Sequence, residues 1–97
     1  MINNDHFYKS EMLILSQLKK QDATIDDLYL TFQSVNLNQL NNGSLLTSIF
    51  FFLESHLISQ YSHNNTIYYH IESAGLVRLD TLKRRYHEIQ NTIEELL

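Results

Sequence analysis

Apolar positions fall into four helical stripes and one pair of alternating segments. Met12, Leu15 and Leu18 recur at helical spacing, with Tyr8 upstream and Leu13 and Ile14 widening the stripe. Lys19 and Lys20 sit in the last turn of this predicted helix, where cations complement the helix dipole. Ser10 is a candidate cap, with Tyr8 at or just inside the helix start, and residues 1–7 are polar and predicted to fray. After a short break, Thr24 followed by Asp27 resembles a capping box with Asp in place of Glu. Ile25, Leu28, Phe32 and Val35 then form the face of a second helix running to about Val35. Residues 36–42 read as an Asn-rich loop that tucks Leu37 and Leu40 inward. A third helix follows, capped by Asn41 or Asn42 and ending near His56. Its inward face is Leu45, Ile49 and Phe52, continued past the turn by Leu57.

The pattern then changes period. Residues 57–62 and 66–71 are short and rich in β-branched and aromatic side chains, flanking His63-Asn64-Asn65, a polar turn of hairpin length. Ile67, Tyr69 and Ile71 alternate with Tyr68 and His70, which predicts one core face and one wet face. Ser73-Ala74-Gly75 breaks the alternation before a long helix from about Leu76 to the end. In it Leu79, Leu82, Tyr86, Ile89, Ile93 and Leu96 follow alternating spacings of three and four. That is a narrow heptad seam, too short for an independent coiled coil but sufficient for a partner helix supported by a folded domain. The competing reading packs the seam on the first helix of the same chain.

The resulting class is mainly α with a small β hairpin: a winged helix-turn-helix plus a long C-terminal dimerisation helix. The expected division is residues 1–75 for the winged-helix domain and 76–97 for the dimerisation helix, compact overall. Ninety-seven residues suffice for one core. With no Cys, disulfides and thiolate metal sites are excluded. No apolar run approaches the roughly 18 residues that span a bilayer, and the polar start lacks a secretory layout. A cytoplasmic protein with no membrane partner is therefore expected.

Charge changes the picture most. The net charge is −4, and no Lys or Arg occurs anywhere in residues 21–77. Lys9, Lys19 and Lys20 precede that gap, and Arg78, Lys83, Arg84 and Arg85 follow it. Five His residues, at 6, 56, 63, 70 and 87, share no helical face and form no metal-ligand spacing, so solvated surface His is the better reading. Neither a phosphate-binding Gly loop nor a nucleophile elbow is present. No enzyme activity, metal or cofactor is predicted.

Beyond element order, the sequence resembles the PadR family of bacterial transcriptional regulators. The resemblance rests on Gly43-Ser44-Leu45, Ile49, Phe52, Glu54 and His56-Leu57-Ile58 around the third helix. It continues in Tyr68-Tyr69-His70-Ile71-Glu72-Ser73-Ala74-Gly75 of the wing's return, followed by Leu79. The chain departs from the family at Thr24-Ile25-Asp26-Asp27, where His-Gly-Tyr is common. It departs again at His56, usually Gly, and at Phe50-Phe51 and the wing tip, where basic residues are common.

The resemblance implies a homodimer on operator DNA, with the third helix and wing at the duplex. Ser44, Thr47, Ser48 and Phe51, with His63, Asn64 and Asn65 of the wing, are the candidate DNA contacts; Ser55 lies on the same reading face. Hydroxyls and amides there can meet phosphates or bases, and Phe51 a thymine methyl group. Lys9, Lys19, Lys20, Arg84 and Arg85 are candidates for the flanking backbone. The dimer interface implied is Leu79, Leu82, Tyr86, Ile89, Ile93 and Leu96. Because phosphate neutralisation supplies most non-specific affinity, the cation-free stretch leaves an alternative open: a winged helix that acts on a protein partner, as antirepressor or adaptor, through Leu46, Phe50, Phe51 and Leu53.

Overall fold

The computed structural model describes residues 4–34 and 42–97. In chain order these form α1 (Asn4–Lys20), α2 (Ile25–Ser34), α3 (Asn42–Glu54), β1 (Ile58–His63), β2 (Thr66–Ile71) and α4 (Ser73–Leu96). The architecture is a winged helix with an extended last helix. Val35, Leu37, Asn38, Leu40 and Asn41, together with the side chains of residues 4–9 and Asn42, fall outside the described residues, and with them the expectations that rested there.

α1 begins six residues before Ser10, so that serine is interior and caps nothing. No Gly or Pro interrupts residues 4–20, and nothing in the backbone chemistry ends the helix sooner. The start of α2 is as expected. Asp27 N–H donates to Thr24 Oγ1 at 3.0 Å and Thr24 N–H to Asp27 Oδ2 at 3.2 Å, a reciprocal box that satisfies two end donors.

One core joins all the elements. It contains Ile14, Leu15 and Leu18 of α1, Leu28 and Phe32 of α2, Leu45, Ile49 and Phe52 of α3, Ile58, Tyr69 and Ile71 of the hairpin, and Leu79 and Leu82 of α4. β1 and β2 pair antiparallel from Ile58↔Ile71 to His63↔Thr66. A third, one-residue edge that periodicity does not reveal completes the sheet. Ala23 N–H donates to the Tyr69 carbonyl at 3.2 Å and Tyr69 N–H to the Ala23 carbonyl at 2.8 Å. Ile67 does not join the core. It sits near the hairpin tip opposite Ser62, beyond reach of the helices, and is half exposed.

α4 starts at Ser73, not Leu76, and Gly75 lies inside it as a packing residue. A Cβ on Gly75 would overlap the Leu57 carbonyl oxygen and lie 2.7 Å from Ile71 Cγ1, so the helix can meet the hairpin base only without a side chain there. The seam divides in two. Leu79 and Leu82 are each 2% exposed within this one chain and pack with α1, so they are not available to a partner helix. Beyond Leu82 no residue of α4 is buried; Tyr86 is half-buried and Ile89, Ile93 and Leu96 are exposed. The chain measures 52 × 28 × 25 Å, with a radius of gyration of 14.3 Å. A compact chain of this length would have about 12.5 Å.

Between α1 and α4 lies an ion pair buried on its Glu11 side. Glu11, 1% exposed, accepts from Arg78 Nε at 2.6 Å and Nη2 at 3.3 Å. Its signal is visible in the sequence. Glu11 stands four residues before Leu15, on the apolar stripe, and Arg78 four before Leu82. An acid on one buried face and a base on the facing one are each expensive alone and tolerable together.

Candidate nucleic-acid interface

α3 and the hairpin are held to one another by the turn between them. Leu57 N–H donates to the Phe52 carbonyl at 2.9 Å and His56 N–H to the Leu53 carbonyl at 3.2 Å, with His56 at φ 59°. This is a Schellman ending, whose left-handed position usually holds Gly. A histidine occupies it at some cost, because its Cβ crowds the following carbonyl, although His is among the non-glycine side chains enriched there. The carbonyl of Leu57 then accepts from Glu72 N–H at 2.9 Å, tying the helix exit to the start of α4.

The inward face of α3 is as predicted; its outward face is unusual. Leu46 is 49% exposed, Phe50 67% and Phe51 46%. Gly43, Ser44, Thr47 and Glu54 are exposed beside them, and Ser48 is half-buried. The Thr47 hydroxyl donates to the Gly43 carbonyl at 2.9 Å, which spends its proton inside the helix. The Phe51 ring meets buried Phe52 edge to face, centroids 6.0 Å apart. Leu53 does not belong with the exposed row: it packs against the core because its helical angle places it next to Ile49 and Phe52.

The hairpin tip is a two-residue turn with both residues left-handed, Asn64 at φ 51° and Asn65 at φ 63°. Paired positive φ values match the twist of the strands, and Asn tolerates them better than other side chains. His63, the last residue of β1, and both asparagines are exposed. Tyr61 and Tyr68 stack across the strands at 5.6 Å and 12°, with His63 edge-on to Tyr68 at 6.3 Å.

A polar cluster pins this hairpin to the end of α1. Asp22 accepts from the Tyr61 hydroxyl at 2.6 Å and bonds His70 Nδ1 at 2.8 Å. The Tyr61 and His70 hydrogen bonds hold the Asp22 carboxyl below the usual carboxylate range. The same bond to Asp22 raises His70 above the ordinary imidazole value, with nearby Glu72 adding to the effect, and raises the Tyr61 phenol. Spacing did not single out Asp22 or Tyr61. The only sequence cue is an acid directly before the bridging Ala23, facing the wet side of a Tyr/His-bearing hairpin. Lys19 and Lys20 end α1 next to this cluster and are exposed, as are Lys83, Arg84 and Arg85 on α4. Arg84 pairs with Asp80 at 3.4 Å.

No family model and no curated protein matches the sequence. Solved structures do match. A transcriptional regulator from Clostridium thermocellum superposes with a TM-score of 0.84 at 14% identity, covering 100% of this chain and 98% of that one. A PadR family transcription regulator from Clostridium difficile gives 0.81 at 19% identity, over 90% of this chain and 96% of that one. The fold is that of PadR-family regulators. A PadR-like transcriptional regulator from Bacillus cereus gives 0.78 at 20% identity, over 89% of this chain and 88% of that one. These PadR-like neighbours are transcription regulators rather than enzymes. No helix among the described residues is long and apolar enough to cross a membrane.

Proposed function

We propose that this protein is a cytoplasmic, PadR-like transcriptional regulator that binds operator DNA as a homodimer. The observation that carries the reading is the match in fold to a solved transcriptional regulator over 100% of this chain, the last helix included. In this reading the winged-helix domain, residues 1–75, meets the duplex through α3 in the major groove and the Asn64-Asn65 tip on the flanking backbone. The DNA contacts proposed are Ser44, Thr47, Ser48 and Phe51 of α3 and His63, Asn64 and Asn65 of the hairpin. The distal part of α4 joins two protomers through Tyr86, Ile89, Ile93 and Leu96. Two copies double each contact, which matters for a chain whose reading helix has no cation.

The test is a salt titration of binding to a random-sequence duplex pool. Affinity falls with salt in proportion to the number of phosphates neutralised. With no Lys or Arg in residues 21–77, binding at low salt with a shallow slope is expected. A chain that binds no duplex even at low salt has some other role.

A further inference from the structure

We propose that α3 reads DNA chiefly through the methyl groups of thymine, so that its operator is selected by apolar contact in the major groove rather than by hydrogen bonds to bases. The inference rests on the operator-binding reading above and names the feature of DNA that the same face recognises. Four features of the face lead to it. Leu46, Phe50 and Phe51 form an exposed apolar row. Thr47, exposed between them, has its hydroxyl proton committed to the Gly43 carbonyl. Ser48 is turned half inward. No Lys, Arg, Asn or Gln lies on α3 beyond its first residue.

Those absences remove the bidentate side chains that usually read bases and leave only short hydroxyls such as Ser44 for polar contact. Guanine is read mainly by Arg or Lys, and adenine by Asn or Gln. Phosphates on either side of the groove likewise find no cation on this helix. The apolar group that duplex DNA displays in the major groove is the C5-methyl of thymine, and Phe, Thr methyl and aliphatic side chains are its natural partners. Glu54, the single charge on this face, lies at the C-terminal end of α3, away from Ser44 and Leu46 at its start. Its carboxylate repels phosphate and accepts only from cytosine or adenine amino groups, so it sharpens the selection without replacing it.

The experiment compares four defined duplexes of ~24 base pairs, long enough for two half-sites one helical turn apart. Alternating adenine–thymine is measured against the same duplex with deoxyuridine for thymidine, which deletes only the methyl. A guanine–cytosine duplex is measured against its 5-methylcytosine form, which restores a methyl at the same place in the groove. Loss of about tenfold in affinity on deleting the methyls is expected, the low end of what one methylene contributes in an apolar site. Methylating cytosine should recover part of it. The doubly substituted Phe50→Ser, Phe51→Ser protein, altered only at exposed positions, should bind the thymine and uracil duplexes alike. Equal affinity of the unaltered protein for those two duplexes, with binding intact, overturns the inference while leaving operator binding standing. Absence of binding to all four and to a random pool overturns the operator reading as well, and assigns the row to contact with a protein.

Discussion

The two halves of α4 share one apolar period and live in different surroundings. Residues 73–82 are built into the body: Gly75 touches the Leu57 carbonyl, Arg78 reaches buried Glu11, and Leu79 and Leu82 close the core. Residues 83–96 continue the same spacing with no buried residue at all. A heptad seam therefore specifies which face of a helix is apolar but not whose surface covers it. Here the boundary falls just after Leu82, the last buried residue of α4. The half buried within the chain gives stability, and the half with no buried residue is the one assigned to a second protomer in the proposed dimer.

That contrast can be broken most forcefully at the exposed end. In the proposed homodimer, Ile89→Asp with Ile93→Asp would bury four carboxylates in a symmetric seam, each costing several kcal/mol. The dimer dissociation constant should rise by a factor on the order of a thousand or more, since each 1.4 kcal/mol is tenfold. Sedimentation should show monomer with an unchanged far-UV helix signal. A dimer that survives both substitutions would place the protein's interface elsewhere.

Substitutions in the buried half should act on folding instead. Arg78→Leu strands the Glu11 carboxylate among apolar groups and should destabilise by about 3 kcal/mol in urea unfolding. Glu11→Leu should cost clearly less, because the Arg78 side chain is a third exposed and its guanidinium keeps access to water. Equal costs would mean that Glu11 is not as enclosed as its 1% exposure indicates. Gly75→Ala forces α4 away from the hairpin base and should cost about 2 kcal/mol, in the range of core overpacking. His56→Gly runs the other way. Relieving a non-glycine residue at φ 59° should stabilise by up to about 1 kcal/mol, measured by thermal unfolding. Destabilisation would show that the imidazole makes a contact worth more than the backbone relief.

Legibility in the sequence followed how local each determinant is. The existence and order of the helices, the Thr24–Asp27 box and the hairpin rest on interactions within a few residues, and they are present as periodicity predicts, although α1 and α4 begin earlier than expected. The placements that failed depend on distant surroundings. Ser73-Ala74-Gly75 looks like a turn because Gly usually ends something; only the approach of Leu57 explains a buried glycine inside a helix. Ile67 alternates correctly but lies past the end of the core, which alternation cannot measure. Leu79 and Leu82 fit a dimer seam until α1 is seen to cover them. At the candidate interface, the exposed row of Leu46, Phe50 and Phe51 was legible as an excess of apolar residues around α3. The loss of the Thr47 proton to Gly43 was not, since a hydroxyl four residues after a carbonyl can point either way.

The smallest expected effect lies in the hairpin's attachment to the body, through Asp22, Tyr61 and His70. His70 is raised above its ordinary 6.5, so its contribution is complete below that pH and fades as pH rises through the higher folded value. Asp22 is depressed below 3.8, so its contribution is present above that pH and is lost as pH falls through the lower folded value. Both act together between those two ordinary values, and attachment should be tightest there. Exposure screens the pair, and neutral His70 can still donate from Nδ1, so the alkaline decline should be shallow. Glu72, held by Ser59 at 2.5 Å, is the other charge near His70 and favours the imidazolium in the same direction. The readout is hydrogen exchange of the Ala23 and Tyr69 amides, which bridge the hairpin to the body, corrected for intrinsic exchange. Protection should fall by less than tenfold from pH 6 to pH 8 and lose that dependence in Asp22→Asn. A variant whose pH profile matches the parent would mean that the bridge amides answer to the backbone alone. The pinned hairpin would then depend on the core of Tyr69 and Ile71, as the buried half of α4 depends on Leu79 and Leu82.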